Sequence, residues 1–122
     1  MSNKIKGKYG EEIAVNYLIK NGCKIVEKNY RFSRYGEIDI IALDGSTLCF
    51  IEVKTRTSDR FGTPFEAITK TKLNKIRKCA FFYLQNSKIH YKKFRIDAIS
   101  VFLSAKEDVK EPAIKYIKNI EF

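Results

Sequence analysis

Residues 36–56, GEIDIIALDGSTLCFIEVKTR, hold two apolar runs on either side of Asp44-Gly45. Asp-Gly between two runs of β-forming residues is a strong hairpin signal, so we predict antiparallel strands over 38–43 and 48–54. The preceding stretch 24–30 alternates loosely and is also rich in β-forming residues. A short basic turn separates it from residue 38. The three strands together predict an antiparallel meander.

Helical periodicity precedes and follows this meander. Between Ile5 and Asn21 the apolar residues fall on one helical stripe, and Gly22 is placed to end the helix. The stripe consists of Ile5, Tyr9, Ile13, Tyr17 and Ile19. The residues Thr63-Pro64-Phe65-Glu66 have the spacing of a capping box, with proline at the first helical position. We therefore predict a second helix from Thr63 to about Asn86.

Two further strands are predicted after the second helix, over Phe94–Leu103 and Ala113–Phe122. A strand that follows a crossover helix is expected to pair in parallel with one strand of the meander. We therefore expect an α/β fold in which a mixed central β-sheet is flanked by helices. At 122 residues the chain is expected to form one domain over 1–122.

Composition narrows the classes of function. Apolar residues make up 44% and charged residues 31%, and the lysines near the N-terminus have no apolar segment behind them. We therefore expect a cytoplasmic protein with no membrane partner. Cys23, Cys49 and Cys79 lie at wide spacings in apolar stretches, and His90 is the single histidine. This pattern predicts buried thiols in a reducing compartment, and neither a zinc site nor histidine-based catalysis.

The charge balance points to a polyanionic partner. Lys and Arg total 24 against 14 Asp and Glu, and the resulting net charge of +10 favours binding to phosphate groups. Nucleic acid is therefore the first candidate. The alternative is a lysine-rich surface without a specific partner, and charge alone does not separate the two.

The candidate chemistry lies on the predicted hairpin. Alternate side chains of a strand share a face, so Glu52 and Lys54 point to the same side of the sheet. A two-residue or four-residue loop at Asp44-Gly45 also brings Asp39 to that face, opposite or diagonal to Glu52 and about 5 to 8 Å away. Two carboxylates and an amine therefore converge there.

A further acid is predicted on the first helix. On a helical wheel Glu12 falls inside the apolar stripe, whereas Glu11 points toward solvent. A carboxylate directed at the core needs a partner, and the cluster around Asp39 can supply one. Together the three acids and Lys54 carry a formal charge of about −2, which a divalent cation would balance. Because all these ligands are oxygens, Mg²⁺ or Mn²⁺ is expected.

The order of these residues resembles the PD-(D/E)xK nuclease signature, with an acid on the first helix, then Gly36-Glu-Ile-Asp39, then Glu52-Val-Lys54. The whole chain resembles the YraN family of small bacterial proteins, which is similar in fold to archaeal Holliday junction resolvases. The match runs from Gly7 to Asn119 and includes Gly10-Glu-Glu12, Asn29, Phe50 to Arg56, Phe61-Gly62, Lys72 and Arg95-Ile-Asp97. It departs from the signature at Ile38, where the motif has proline.

The resemblance implies a restriction-endonuclease-like fold and a role for each motif residue. Asp39 and Glu52 would bind the metal together with the Val53 carbonyl. Lys54 would orient or activate the attacking water. Glu12 would complete the site, directly or through a water molecule.

Other residues are candidates for supporting roles. Glu37 shares the strand face of Asp39 and is either a further ligand or a solvated charge. Lys72 lies inside the apolar stripe of the second helix, so it pairs with the acid cluster or contacts a phosphate. The candidate contacts to a nucleic-acid backbone are Arg31, Arg34, Arg56, Arg60, Lys72, Lys92, Lys93 and Arg95.

Three functions stay open at this point. The first is a metal-dependent endonuclease that acts on structured or branched DNA. The second is a DNA-binding or RNA-binding module that keeps the acids without turnover, and the third is a basic protein-interaction domain whose acids form only ion pairs. A homodimer would suit the first function, because twofold symmetry matches two scissile strands.

Overall fold

The hairpin predicted at Asp44-Gly45 lies in the middle of the folded chain. The computed structural model describes residues 2–57, 68–103 and 112–120, except for the side chains of Asn3 and Tyr35. The elements in chain order are α1 (Asn3–Lys20), β1 (Lys24–Arg31), a 3₁₀ helix (Ser33–Tyr35), β2 (Glu37–Asp44), β3 (Thr47–Arg56), α2 (Lys70–Asn86), β4 (Lys93–Phe102) and β5 (Ala113–Ile117).

The five strands form one mixed sheet in the order β1-β2-β3-β4-β5. β2 pairs antiparallel with both β1 and β3, β4 joins β3 in parallel, and β5 is antiparallel to β4. The predicted meander and parallel crossover are both confirmed. Asp44 pairs with Thr47, so Gly45 and Ser46 form a two-residue loop. Gly45 has a φ of 62°, which such a tight hairpin loop requires.

Each face of the sheet has its own core because one helix covers each side. The core under α2 is built mainly from Ile38, Ile41, Leu48, Phe50, Leu73, Ile76, Cys79, Tyr83 and Ile96. The core under α1 is built from Ala14, Leu18, Ile40, Ala42, Cys49, Ile51, Ile99 and Val101. The residues of β3 alternate between the two cores, as strand geometry requires. A strand buried on both faces explains why 48–51 is continuously apolar.

The buried face of α1 differs from the predicted stripe. Ala14 and Leu18 are fully buried, whereas Ile5, Tyr9 and Ile19 are exposed. The prediction that the stripe faces the core is therefore wrong. The physical reason is a close approach to the sheet: a Cβ atom added to Gly10 would lie 1.8 Å from Thr55 Oγ1. The small residues of α1 face β3, and the larger apolar side chains flank this contact or lie in solvent.

The second helix begins later than predicted. Thr69 is extended and caps α2, with its hydroxyl accepting a 3.1 Å hydrogen bond from the Lys72 backbone N–H. A continuous helix from Thr63 is therefore wrong, because Ile68 and Thr69 are not helical. Residues 63–67, including the predicted capping box, lie outside the described residues. The predicted end at Asn86 is confirmed.

The last strand is shorter than predicted. It ends at Ile117 instead of Phe122, and residues 121–122 lie outside the described residues. Asn119 has a left-handed φ of 57°, and its backbone N–H donates to Asp97 Oδ1 at 2.8 Å. This contact takes the chain out of the strand and anchors it to β4.

Two smaller predictions concern thiols and membranes. Cys49 and Cys79 are buried, Cys23 is half-buried, and all three are free thiols. Burial raises the pKa of Cys49 to about 12, so this thiol is not poised to react as a thiolate. Neither helix in the described part of the chain has the length and apolar character needed to cross a membrane.

Candidate functional site

The site lies at the end of the β2–β3 pairing, where Ile40 pairs with Ile51. Asp39 and Glu52 are the next residues of their strands beyond this pair, and they lie close enough for the charge of Glu52 to raise the pKa of Asp39. The Asp39 carboxylate oxygen Oδ2 accepts a hydrogen bond of 2.7 Å from the backbone N–H of Val53. The position of this carboxylate is therefore set by the hairpin itself.

Two further acids reach Asp39, one from β2 and one from α1. Single carboxylate oxygens of Glu11, Glu37 and Asp39 all lie within 4.8 Å of one another. Asn29 on β1 has a left-handed φ of 53° and directs its side chain at these acids. Its amide nitrogen donates to Glu11 Oε2 and Glu37 Oε1, each at 3.1 Å, because the opposite orientation would face oxygen with oxygen. Three elements thus converge on one acid cluster.

The acid that α1 contributes is Glu11, and the prediction that Glu12 faces the interior is wrong, because Glu12 is exposed. The buried face of α1 is centred on Gly10, Ala14 and Leu18. At about 100° per residue, Glu11 lies about 60° from the centre of that face and Glu12 about 160°. The sequence signal for this orientation is the pair of small residues four positions apart, which marks a close helix–sheet contact.

Glu52 lies beside this cluster and is almost completely buried, with a side chain that is 4% exposed. Its Oε1 lies 3.5 Å from Lys54 Nζ and 3.3 Å from Lys72 Nζ. Of the two roles left open for Lys72, the structure shows the contact with an acid, and a contact with phosphate stays a prediction. The other oxygen, Oε2, is buried and has no hydrogen-bond partner among the described residues. A buried carboxylate oxygen without a partner is costly, so a ligand at this point would be stabilising.

Burial and the proximity of like charges raise the pKa values of two acids in the cluster. Burial and the neighbouring Glu52 raise the pKa of Asp39 to about 8, although the Val53 N–H opposes this. Burial also raises the pKa of Glu11, with smaller contributions from Glu37 and Glu52, while its hydrogen bond to Asp39 acts in the opposite direction. Without a cation, the cluster therefore holds a proton near neutral pH.

The donor set fits a hard divalent cation. The side chains of the site that could coordinate a cation are carboxylates. Carboxylate oxygens are the ligands that Mg²⁺ and Mn²⁺ prefer. Four acids face three basic side chains, and Arg31 is the third of these through its 3.4 Å pair with Glu37. With all four acids ionised, a formal charge of about −1 remains at a site with one buried oxygen that lacks a partner in the described part of the chain.

Comparison with known proteins places the chain in a family. A family model described as "Uncharacterised protein family UPF0102" matches residues 10–101. The chain belongs to UPF0102. The UPF0102 protein of Dictyoglomus turgidum is 44% identical over 109 residues, which cover 89% of this chain and 92% of the relative. That of Caldicellulosiruptor saccharolyticus is 41% identical over 119 residues, or 98% of each chain, and that of Mycolicibacterium vanbaalenii is 40% identical over 114 residues, or 93% and 91%.

The basic residues predicted to contact nucleic acid have different surroundings in this UPF0102 chain. The exposed ones are Arg31, Arg34, Lys92 and Lys93, and the half-buried ones are Arg56, Lys72 and Arg95. Arg60 lies outside the described residues. The exposed arginines lie at the end of β1 and in the 3₁₀ helix, next to the start of β2 and the acid cluster.

Arg95 is part of an internal network that joins β4 to β5 in the UPF0102 fold. Its Nε donates to both oxygens of the fully buried Asp97, at 3.0 and 2.9 Å, and its terminal nitrogen donates to Asp44 at 3.0 Å. The Tyr116 hydroxyl also donates to Asp97. Burial and this hydrogen bond raise the pKa of Tyr116. Arg95 is therefore assigned to the internal structure and not to a nucleic-acid surface.

Proposed function

We propose that this protein is a metal-dependent endonuclease that hydrolyses phosphodiester bonds in DNA, with structured or branched DNA as its substrate class. The observation that carries this proposal is the convergence of three acids beside the buried Oε2 of Glu52, which lacks a partner in the described part of the chain. Acids whose pKa values are raised by burial and by one another collect at functional sites. The net charge of +10 around this acidic site suits a polyanionic substrate.

The cation of this proposal would be Mg²⁺ or Mn²⁺, held by Asp39, Glu52 and Glu11, with the Val53 carbonyl as a further oxygen. Glu11 replaces Glu12 in this assignment because only Glu11 reaches Asp39. A cation bound there supplies a Lewis acid that lowers the pKa of water and stabilises charge on the phosphate. The Val53 N–H keeps Asp39 in place through its 2.7 Å hydrogen bond.

The two lysines give the site its phosphate-facing charge. Lys54 lies 3.5 Å from Glu52 and its side chain is 30% exposed, so its ammonium group can donate to the attacking water while the acid holds it in place. Lys72 lies 3.3 Å from the same oxygen and is 41% exposed. It approaches from α2 and would neutralise a non-bridging oxygen of the phosphate.

Cleavage of labelled duplex, single-stranded and four-way-junction DNA in Mg²⁺, Mn²⁺ or EDTA tests the proposal. We expect cutting that requires metal, and we expect Asp39→Ala and Lys54→Ala each to lower its rate about 100-fold or more. The matched controls are Glu12→Gln, an exposed acid beside Glu11, and Lys24→Ala, an exposed lysine at the start of β1. Both controls should cut at the wild-type rate.

Two outcomes would contradict the mechanism. Cutting that persists in EDTA would exclude the metal, and a Lys54→Ala variant with wild-type activity would remove the lysine from the reaction. If no DNA is cut while metal and DNA both bind, the protein is a nucleic-acid-binding module that keeps the acid cluster.

A further inference from the structure

An exposed aromatic surface lies away from the acid cluster, and nothing in the proposed reaction uses it. It consists of Phe81 and Phe82 on α2 and Phe94 on β4, which we call the aromatic patch. Phe81 is 54% exposed, the highest exposure of these three rings, and Phe94 is 38% exposed. Phe81 and Phe94 are in contact with each other and both face solvent, and exposed apolar surface of this kind usually marks an interaction site.

The rings of the patch are held in place by other aromatic side chains. Phe82 stacks on Phe32, with centroids 3.8 Å apart and ring planes 10° apart. Phe81 meets the edge of Phe94 at 6.2 Å, and Phe94 in turn meets the buried Phe50 at 6.3 Å. A ligand that stacks on Phe81 would therefore bind a surface that is already ordered, which lowers the entropic cost of binding.

The charge of the surrounding chain identifies the kind of ligand. Residues 68–94 contain eight Lys or Arg and no Asp or Glu, whereas the rest of the chain contains 16 Lys or Arg and 14 Asp or Glu. The net positive charge of the protein is thus concentrated in α2, the start of β4 and the segment between them, and α2 and β4 carry the aromatic patch. A second copy of the chain would bring the same positive charge to the interface. A polyanion with flat apolar faces matches both properties of the surface.

We infer that the aromatic patch is a stacking platform for unpaired bases of single-stranded DNA, with phosphates held by the lysines around it. Proteins that bind single strands combine basic surfaces with aromatic rings on which bases stack. A base inside a duplex has both faces covered by its neighbours, so only an unpaired base can use Phe81. Lys92 lies two residues before Phe94 and is exposed, which places a cationic group near the backbone of such a strand.

This inference rests on the proposed function and narrows its substrate. Lys72 contacts Glu52, and Phe81 lies nine residues further along the same helix, a distance of about 14 Å at 1.5 Å per residue. That distance spans about four nucleotides at the 3.4 Å spacing of a stacked strand. The preferred substrate would then have unpaired bases within a few nucleotides of the scissile bond, as at a junction, a flap or an overhang.

Fluorescence anisotropy with a labelled oligothymidylate of about 20 nucleotides tests the platform, in EDTA so that no cutting occurs. We expect Phe81→Ala and Phe81→Leu to raise Kd about five-fold or more, and Phe81→Tyr to stay within about two-fold of wild type. The leucine variant keeps an apolar, helix-forming side chain, so a loss of affinity in this variant cannot come from unfolding of α2. Tyr9→Ala removes a similarly exposed ring from α1 on the opposite face, and should bind as wild type does.

An abasic oligonucleotide of the same length separates stacking from attraction to phosphate. It should bind more weakly than oligothymidylate, and Phe81→Ala should leave its Kd unchanged. Wild-type affinity of Phe81→Ala for oligothymidylate would overturn the inference, and so would an equal loss on the abasic strand. Sedimentation velocity that shows a wild-type dimer and a Phe81→Ala monomer would assign the patch to a second copy instead. None of these readouts needs catalysis, so a failure of the proposed nuclease reaction is recognised separately.

Discussion

Glu11 and Glu12 are neighbours in the chain with different surroundings. Glu11 shares the acid cluster with Asp39 and Glu37, whereas Glu12 is exposed and lines the same cleft as Glu11 without belonging to the cluster. We expect Glu11→Gln to weaken Mn²⁺ binding about ten-fold or more, because it removes a ligand or a direct partner of one. Glu12→Gln removes the same charge from the adjacent position and should leave the affinity unchanged. Isothermal titration calorimetry measures both, and an equal loss in the two variants would mean that only overall charge matters.

Asp39 should make the metal-free protein less stable as pH rises. Its pKa is about 8 in the folded protein against an ordinary value of 3.8, so the folded state binds a proton that the unfolded state has already lost. Between these values unfolding releases a proton, and the free energy of unfolding falls until the pH passes the folded pKa. At about 1.4 kcal/mol per pKa unit, we expect wild type to lose at least about 1.4 kcal/mol more than Asp39→Asn between about pH 5 and pH 8 in EDTA.

Urea unfolding at the two pH values gives this difference directly. The asparagine cannot ionise but still offers an oxygen to the Val53 N–H, so it isolates the charge from the hydrogen bond. Mg²⁺ added at the higher pH should restore the stability of wild type more than that of Asp39→Asn, because ligands of the folded state stabilise it. If the free energy of unfolding changes equally with pH in wild type and Asp39→Asn, the burial of Asp39 is compensated in some other way.

Among the elements, α1 depends on a glycine for its contact with the sheet. A Cβ atom at Gly10 would overlap Thr55, whereas one at Gly7 meets no atom of the described residues within 4 Å. Gly10→Ala should therefore destabilise the protein by about 1 to 3 kcal/mol. Gly7→Ala, in the same helix, should be neutral or stabilising by up to about 1 kcal/mol because alanine favours the helix. Urea midpoints at constant m-value measure both, and a neutral Gly10→Ala would contradict the close packing of α1 on β3.

The strands were predictable because their signals are local. Asp44-Gly45 sets a two-residue loop, and that loop sets the register in which Ile40 pairs with Ile51, next to Asp39 and Glu52. Strand alternation then puts Lys54 on the same side as Glu52, and the parallel pairing of β4 follows from the crossover through α2. Most of the site could therefore be derived from the hairpin alone.

The helices were harder to predict because tertiary contacts decide them. Apolar residues occur around most of α1, so periodicity did not identify its buried face, and the contact of Gly10 with Thr55 selected it. The orientation of Glu11 follows from that contact. Asn29 was missed as an acid partner because its left-handed backbone is not signalled by neighbouring residues. At α2, the described residues show the N-cap at Thr69, and the predicted cap at Thr63 lies outside them.

At the scale of the whole molecule, acidic and basic residues are concentrated in different regions, and this separation suits the proposed reaction. Acids gather at the end of the β2–β3 hairpin, while residues 68–94 have basic residues and no acid. In the proposed reaction a cation would offset the first region and a polyanion the second. Lys72 joins the two, because it lies on α2 and contacts Glu52 at 3.3 Å. Attraction of DNA to the helix would therefore bring a phosphate toward the acids.

This arrangement predicts which lysines control the salt dependence of DNA binding. Neutralising Lys75 on α2 and Lys92 just before β4 together, as Lys75→Gln and Lys92→Gln, should reduce the slope of log K against log salt by about 1.4 on single-stranded DNA, because two phosphate contacts are lost. The control pair, Lys20→Gln and Lys24→Gln, lies at the end of α1 and the start of β1 and lowers the net charge of +10 by the same amount. Its slope should match wild type. Anisotropy titrations at several salt concentrations distinguish the pairs, and equal slopes for both double variants would mean that DNA responds to the total charge of the protein instead of to the surface formed by α2 and β4.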